Sequence, residues 1–116
     1  MKIELLPNEI KIDTWVILYQ PPDGSRYNGK LTITNKRLLY HAKTDVSDKD
    51  ILVKAVNIKW GSMGYVEIDK SAIKDVQVEK NFLVKKAIIT LADDTKHIFN
   101  YGALNIDMVV EAIRTN

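Results

Sequence analysis

The chain has 116 residues, 46% hydrophobic and 28% charged, with 17 basic and 15 acidic side chains and a formal net charge of +2, the composition of one globular domain rather than of a disordered tail. With no cysteine it forms no disulfide, thiolate nucleophile or thiolate metal site, and its lysines are interleaved with Asp and Glu, which argues against a nucleic-acid stripe. Met1–Ile10 has no apolar run of the signal-peptide kind, and no apolar stretch is long enough to span a bilayer.

Asp13 to Tyr19 is rich in β-branched and aromatic residues and predicts a strand. Gln20 to Ser25, with two prolines and a glycine, predicts a loop, and Asn28-Gly29 reads as a second turn. Lys30 to Asn35 alternates, Leu31 and Ile33 to one face and Thr32 and Thr34 to the other, as a half-buried strand does. Asn35-Lys36 turns the chain into a further strand, Arg37 to Ala42.

Lys43 to Asp50 is polar and expected at the surface. Ile51 to Trp60 fits two readings: Ser47 with Asp50 resembles a helix capping box, while Leu52, Val56, Ile58 and Trp60 fit a period of two, and strand is slightly preferred. Gly61 to Gly64 predicts a turn, Tyr65 to Asp69 a strand, and Lys70 to Ile73 a bend or short helical turn. Lys74 to Lys80 alternates with Val76 and Val78 inward. Lys85 to Leu91 and Lys96 to Tyr101 form a hairpin about Ala92 to Thr95. The period then changes. Asn105 suits an N-cap, and Ile106, Val109, Val110 and Ile113 fall on one face of a helix.

About seven strands closed by one amphipathic helix gives a mainly β domain. Gly29-Lys30-Leu31-Thr32-Ile33-Thr34-Asn35-Lys36-Arg37-Leu38-Leu39-Tyr40 resembles the G-x-L-x-(I/L)-T-(N/D)-x-R-L segment of GRAM and bacterial pleckstrin-homology-like domains. Ile68 to Val76 is similar to their I-(P)-x-x-x-I-x-x-V segment, with Asp69 where the proline usually stands, and Ile89 to Ile113 looks like their last hairpin and helix. The resemblance implies one pleckstrin-homology-like domain over the whole chain, core 5–113, with a bent sheet forming a partly open barrel plugged by the helix. It also implies a cytoplasmic adaptor binding proteins, copies of itself or anionic headgroups.

The residues themselves offer little chemistry. Gly24 to Lys30 matches G-x-x-x-x-G-K, but Leu31 follows where a phosphate-binding loop needs Ser or Thr, and a strand is predicted where that loop needs a helix. His41 and His97 are separated and read as strand residues, at least one exposed, so no metal is expected. Asp93-Asp94 reads as a solvated turn. No positioned nucleophile, base or metal site stands out, and the expectation is a non-enzymatic module without cofactor or nucleic acid. Its partners would be proteins or a second copy, through an edge strand or a groove beside the helix, with Trp15, Tyr19, Trp60 and Tyr65 as anchors if exposed. The alternative is an anionic lipid surface, peripherally bound by Arg26, Lys30, Lys36, Arg37, Lys80, Lys85 and Lys86, with Phe82 and Leu83 inserting. The plainer expectation for Phe82 and Leu83 is a turn that folds back on the core.

Overall fold

The computed structural model describes residues 4–42, 60–61 and 65–115. The readings made for Lys43 to Lys59 and for the turn through Ser62 to Gly64, and the side chain of Trp60, lie outside them. Strands β1 (Lys11–Gln20), β2 (Tyr27–Thr34) and β3 (Arg37–Ala42) form a meander. A two-residue strand, β4 (Trp60–Gly61), pairs with β5 (Tyr65–Asp69). A 3-10 turn, Lys70–Ala72, leads into β6 (Ile73–Lys80). Strands β7 (Lys85–Leu91) and β8 (Lys96–Asn100) precede helix α1 (Asp107–Arg114). Among the described residues all pairings are antiparallel, in one open sheet of eight strands ordered β4-β5-β3-β2-β1-β8-β7-β6.

The two halves of the sheet meet at β1, whose last residues Leu18 to Gln20 pair with β8 while also ending the ladder to β2. Side chains on the inner face form one core: Ile17 and Tyr19 from β1, Leu31 and Ile33 from β2, Leu38 and Tyr40 from β3, Ala87 and Ile89 from β7, Phe99 from β8. Helix α1 and the loop before it close this core with Ile106, Val109, Val110 and Ile113, the stripe expected from the sequence. Asn105 sits one residue before the N-cap position, which Ile106 occupies; its Oδ1 accepts from the Asp107 N–H at 2.9 Å, so it still serves the first turn.

Two expectations need correcting. Asn28-Gly29 is not a turn: both residues lie inside β2. Gly29 is there because β3 crosses closely, and a Cβ at this position would sit 2.2 Å from the His41 carbonyl oxygen. Glycine thus serves close backbone approach rather than positive φ. Thr32 and Thr34 are not on a solvated face either; both are buried. Thr34 Oγ1 donates to Glu9 Oε2 (2.6 Å) and accepts from the N–H groups of Lys36 and Arg37, so its polarity is fully used.

His97 is buried and His41 half-buried, so neither histidine is exposed where at least one was expected to be. Tyr19 stacks on Phe99 with centroids 5.1 Å apart, and its hydroxyl lies 2.7 Å from His97 Nδ1. Burial pushes the Tyr19 phenol up, so it stays protonated and donates to Nδ1. The ring proton then belongs on Nε2, which faces Thr95 Oγ1 at 3.3 Å, and Thr95 in turn donates to Asp93 at 2.6 Å. Burial holds the imidazole down at about 4.

Candidate functional site

The sheet leaves one long edge open. β6 has β7 on one side and, among the described residues, no strand on the other. The Asn81 N–H donates to the Val84 carbonyl at 2.9 Å and closes the β6–β7 hairpin. Counting back along an antiparallel ladder, the N–H and C=O of Glu79 and Gln77 face β7, and those of Val78 and Val76 face away from the sheet. Arg114 registers the same alternation: its Nη2 donates to the Val76 carbonyl at 3.1 Å, which requires that oxygen to face outward.

Helix α1 runs beside this edge. Between them lies a groove of about 660 Å³ lined by Val78, Lys80, Asp107, Val110, Glu111, Arg114 and Thr115. It continues past Arg114 along Ile73, Val76 and Ile113. The helix is held at both ends. Lys80 Nζ is 2.5 Å from Asp107 in its first turn. Lys70 Nζ donates to the carbonyls of Ala112 (2.7 Å) and Thr115 at its last. Asp107 in the first turn and the Lys70 ammonium at the last carbonyls complement the helix dipole. The groove wall is therefore set by packing and ion pairs; on its strand side Arg114 takes the Val76 carbonyl, and the outward backbone of Val78 has no strand partner among the described residues.

The β6–β7 turn projects from one end of the groove. Asn81 Oδ1 accepts from the N–H groups of Leu83 (2.9 Å) and Val84 (2.7 Å), fixing the turn so that its tip points outward. Phe82 is 92% exposed and Leu83 68% exposed, so the expectation that they fold back on the core fails. Lys85 N–H donates to Gly102 O and Tyr101 N–H to Lys85 O, which draws the loop before α1 alongside. Leu104 and Met108 on that loop and helix are also exposed.

The basic residues singled out in the sequence do not form one patch. Arg26 precedes β2, Lys30 lies within it and Lys36 follows it; all three are exposed. Eight residues of strand separate the two ends by roughly 26 Å. Arg37 must be withdrawn as a ligand for anions. It is buried, with Nη2 2.5 Å from Glu9 Oε1, Nε 2.8 Å from Glu9 Oε2 and Nη1 3.1 Å from Glu67. That fork holds the Glu9 carboxyl at about 2, well below the usual range, chiefly through the Arg37 hydrogen bonds. Lys80 and Lys85 stand opposite each other at the base of the β6–β7 hairpin, while Lys86 stands opposite Glu79 on the other face. Lys80 is paired with Asp107, and Lys86 lies 3.4 Å from Glu79. Of the expected aromatic anchors, Tyr19 is buried and Trp15 and Tyr65 are half-buried. The G-x-x-x-x-G-K stretch runs straight into β2, so no helix N-terminus follows Lys30.

Sequence reading missed the groove residues Val110, Glu111 and Arg114 as a set, and Leu104 and Met108 beside the tip. Their one signal was the helix period, which identifies Val110 as inward but not which strand it overlies.

No family model matches the chain, and no curated protein matches it. A solved structure, the C-terminal domain of an unknown protein from Leishmania infantum, superposes with a TM-score of 0.65 at 15% sequence identity, covering 92% of this chain and 83% of that one. At that identity the likeness is one of fold: a mainly β open sheet with a C-terminal helix. Among the described residues no helix is long and apolar enough to cross a membrane.

Proposed function

We propose that the chain is a non-catalytic binding module of pleckstrin-homology-like type that docks an extended segment of a protein partner along β6, under α1. The observation that carries this is the conjunction of outward strand backbone with apolar side chains in an otherwise polar groove beside it. Val78 turns its backbone outward, and its side chain lines the groove with Val110. An added strand gains main-chain hydrogen bonds from the first feature and side-chain pockets from the second. The motif at Gly29 to Tyr40 and the order of strands and helix support the pleckstrin-homology-like part of this reading, which makes the protein a cytoplasmic adaptor.

The test uses a substitution that the ladder tolerates. Val78→Pro removes an N–H that faces away from β7, so it leaves the sheet intact while blocking strand addition. Peptides selected from a random displayed library on the wild-type protein should lose binding to Val78→Pro. Peptides that bind both proteins equally would sink the reading.

A second reading has its own observation. Phe82 and Leu83 are exposed beside Lys80, Lys85 and Lys86, the arrangement of a tip that enters an anionic bilayer. Because Lys80 and Lys86 already have acidic partners, little charge is left to attract lipid. Co-sedimentation with neutral and anionic vesicles at low and moderate salt separates the two: salt-sensitive binding to anionic vesicles, abolished by Phe82→Ser with Leu83→Ser, would favour the membrane.

A further inference from the structure

We infer that the segment accepted by β6 alternates basic with apolar residues and comes from a different protein rather than from a second copy of this chain; the inference rests on β6 being the docking edge. A ninth strand laid antiparallel on β6 places its side chains on the same two faces as those of β6. On the groove face its neighbours are Val76 and Val78, with Val110 opposite. The lysines that flank them are already neutralised, Lys74 by Asp94 at 2.6 Å and Lys80 by Asp107 at 2.5 Å. Apolar side chains fit there.

On the other face the neighbours are Asp75, Gln77 and Glu79, all exposed. Glu79 has Lys86 at 3.4 Å, and Asp75 has no ion pair among the described residues. A strand that fits this row carries Lys or Arg at alternate positions. A second copy of the chain does the opposite. Paired antiparallel about Gln77, two β6 strands set Asp75 against Glu79 and Lys74 against Lys80, and like charges directly opposite are destabilising. Moving the centre to Val76 sets Lys74 against Val78 and Ile73 against Glu79, a charge against an apolar side chain each time. The charge order of β6 thus discourages self-pairing and leaves the edge for a chain of complementary pattern.

The experiment uses two short, end-capped synthetic peptides, one alternating lysine with valine and one alternating glutamate with valine, titrated into the full chain with backbone amide shifts as readout. The lysine peptide should bind the wild type, with the largest shifts at Val76, Val78 and Lys80, and the glutamate peptide should bind about tenfold more weakly or worse. Asp75→Lys with Glu79→Lys should exchange the two preferences, and Val78→Pro should abolish binding of both. If Val78→Pro blocks the peptides but the charge reversal leaves their ranking unchanged, the edge reading stands and the basic-partner inference falls. If Val78→Pro changes nothing, both fall. Concentration-dependent dimerisation of the wild type that Val78→Pro removes would overturn the preference for a foreign chain.

Discussion

Two corners of the molecule use charged residues in opposite ways. Where β2 turns into β3, the segment before β1 folds over the sheet and its buried polar groups close on one another. Glu9 takes two of the three Arg37 nitrogens, the Thr34 hydroxyl and the Leu6 N–H; Asn35 Oδ1 accepts from the Ile10 N–H, and Lys36 reaches the Pro7 carbonyl. Along β6 and α1 the ion pairs lie at the surface, the strand keeps outward backbone groups, and the turn beyond it exposes Phe82 and Leu83. The first corner spends its chemistry internally and contributes stability. The second leaves chemistry over for a partner. A basic residue in the sequence therefore signals nothing about ligand binding until its neighbours are known.

The contrast is broken most directly at Glu9. Replacing it by Ala leaves Arg37 buried with two of its four side-chain hydrogen bonds gone, and losing one member of a buried pair costs about 3–5 kcal/mol. Equilibrium urea unfolding at neutral pH should show this loss for Glu9→Ala, whereas Asp107→Ala, which removes only the exposed pair with Lys80, should stay within about 1 kcal/mol of wild type. Equal losses would mean the two corners do not differ as described.

Acid sharpens the same contrast, because two buried groups have lowered values and lose their contribution in separate windows. His97 is held neutral at about 4 against 6.5 when unfolded. The unfolded chain binds the proton first, so stability is full above 6.5 and falls as pH drops to 4. Glu9 is held at about 2 against 4.5, so its contribution is full above 4.5 and falls as pH drops to 2. Each shift corresponds to about 3 kcal/mol. Urea midpoints measured from pH 7.5 to 3 should decline first through the His97 window, and His97→Gln should flatten that first decline while leaving the second.

How much of this was legible beforehand depends on whether the determinant is local. Arg37 to Ala42 emerged with the observed bounds, and the α1 stripe was read correctly, because a buried face imposes its period on the sequence. Arg37 was misread because its partner Glu9 lies 28 positions away, beyond any local pattern. Gly29 was misread because the same residue type serves turns and close crossings, and only the pairing of β2 with β3 distinguishes them. Phe82 and Leu83 have the composition of core residues, but the Asn81 side chain fixes the turn that turns them out. The open edge was foreseen as a category and not as β6, since strand order follows from topology rather than composition.

Backbone direction offers a finer test within β6. Gln77→Pro and Val78→Pro are neighbours with similar chemistry, yet the ladder assigns the Gln77 N–H to β7 and the Val78 N–H to the open side. The first should cost about 1–3 kcal/mol through a lost bond and an unsatisfied carbonyl on β7; the second should cost clearly less. Thermal melts of the pair decide it, and a Val78→Pro loss as large as that of Gln77→Pro would place the open edge one residue out of register.

The smallest effect belongs to the tip. Phe82 is 92% exposed, so replacing it by Ser removes almost no buried surface, and stability should stay within about 0.5 kcal/mol of wild type. A side chain that apolar is costly to leave in water and carries an aggregation risk, and here no fold requirement offsets that. If the melt of Phe82→Ser matches wild type while binding of the selected peptides weakens, the tip extends the groove's docking surface past Lys80. If the melt drops by more than about 1 kcal/mol, Phe82 packs on the domain after all, and the tip belongs with the Glu9 corner on the structural side of the comparison.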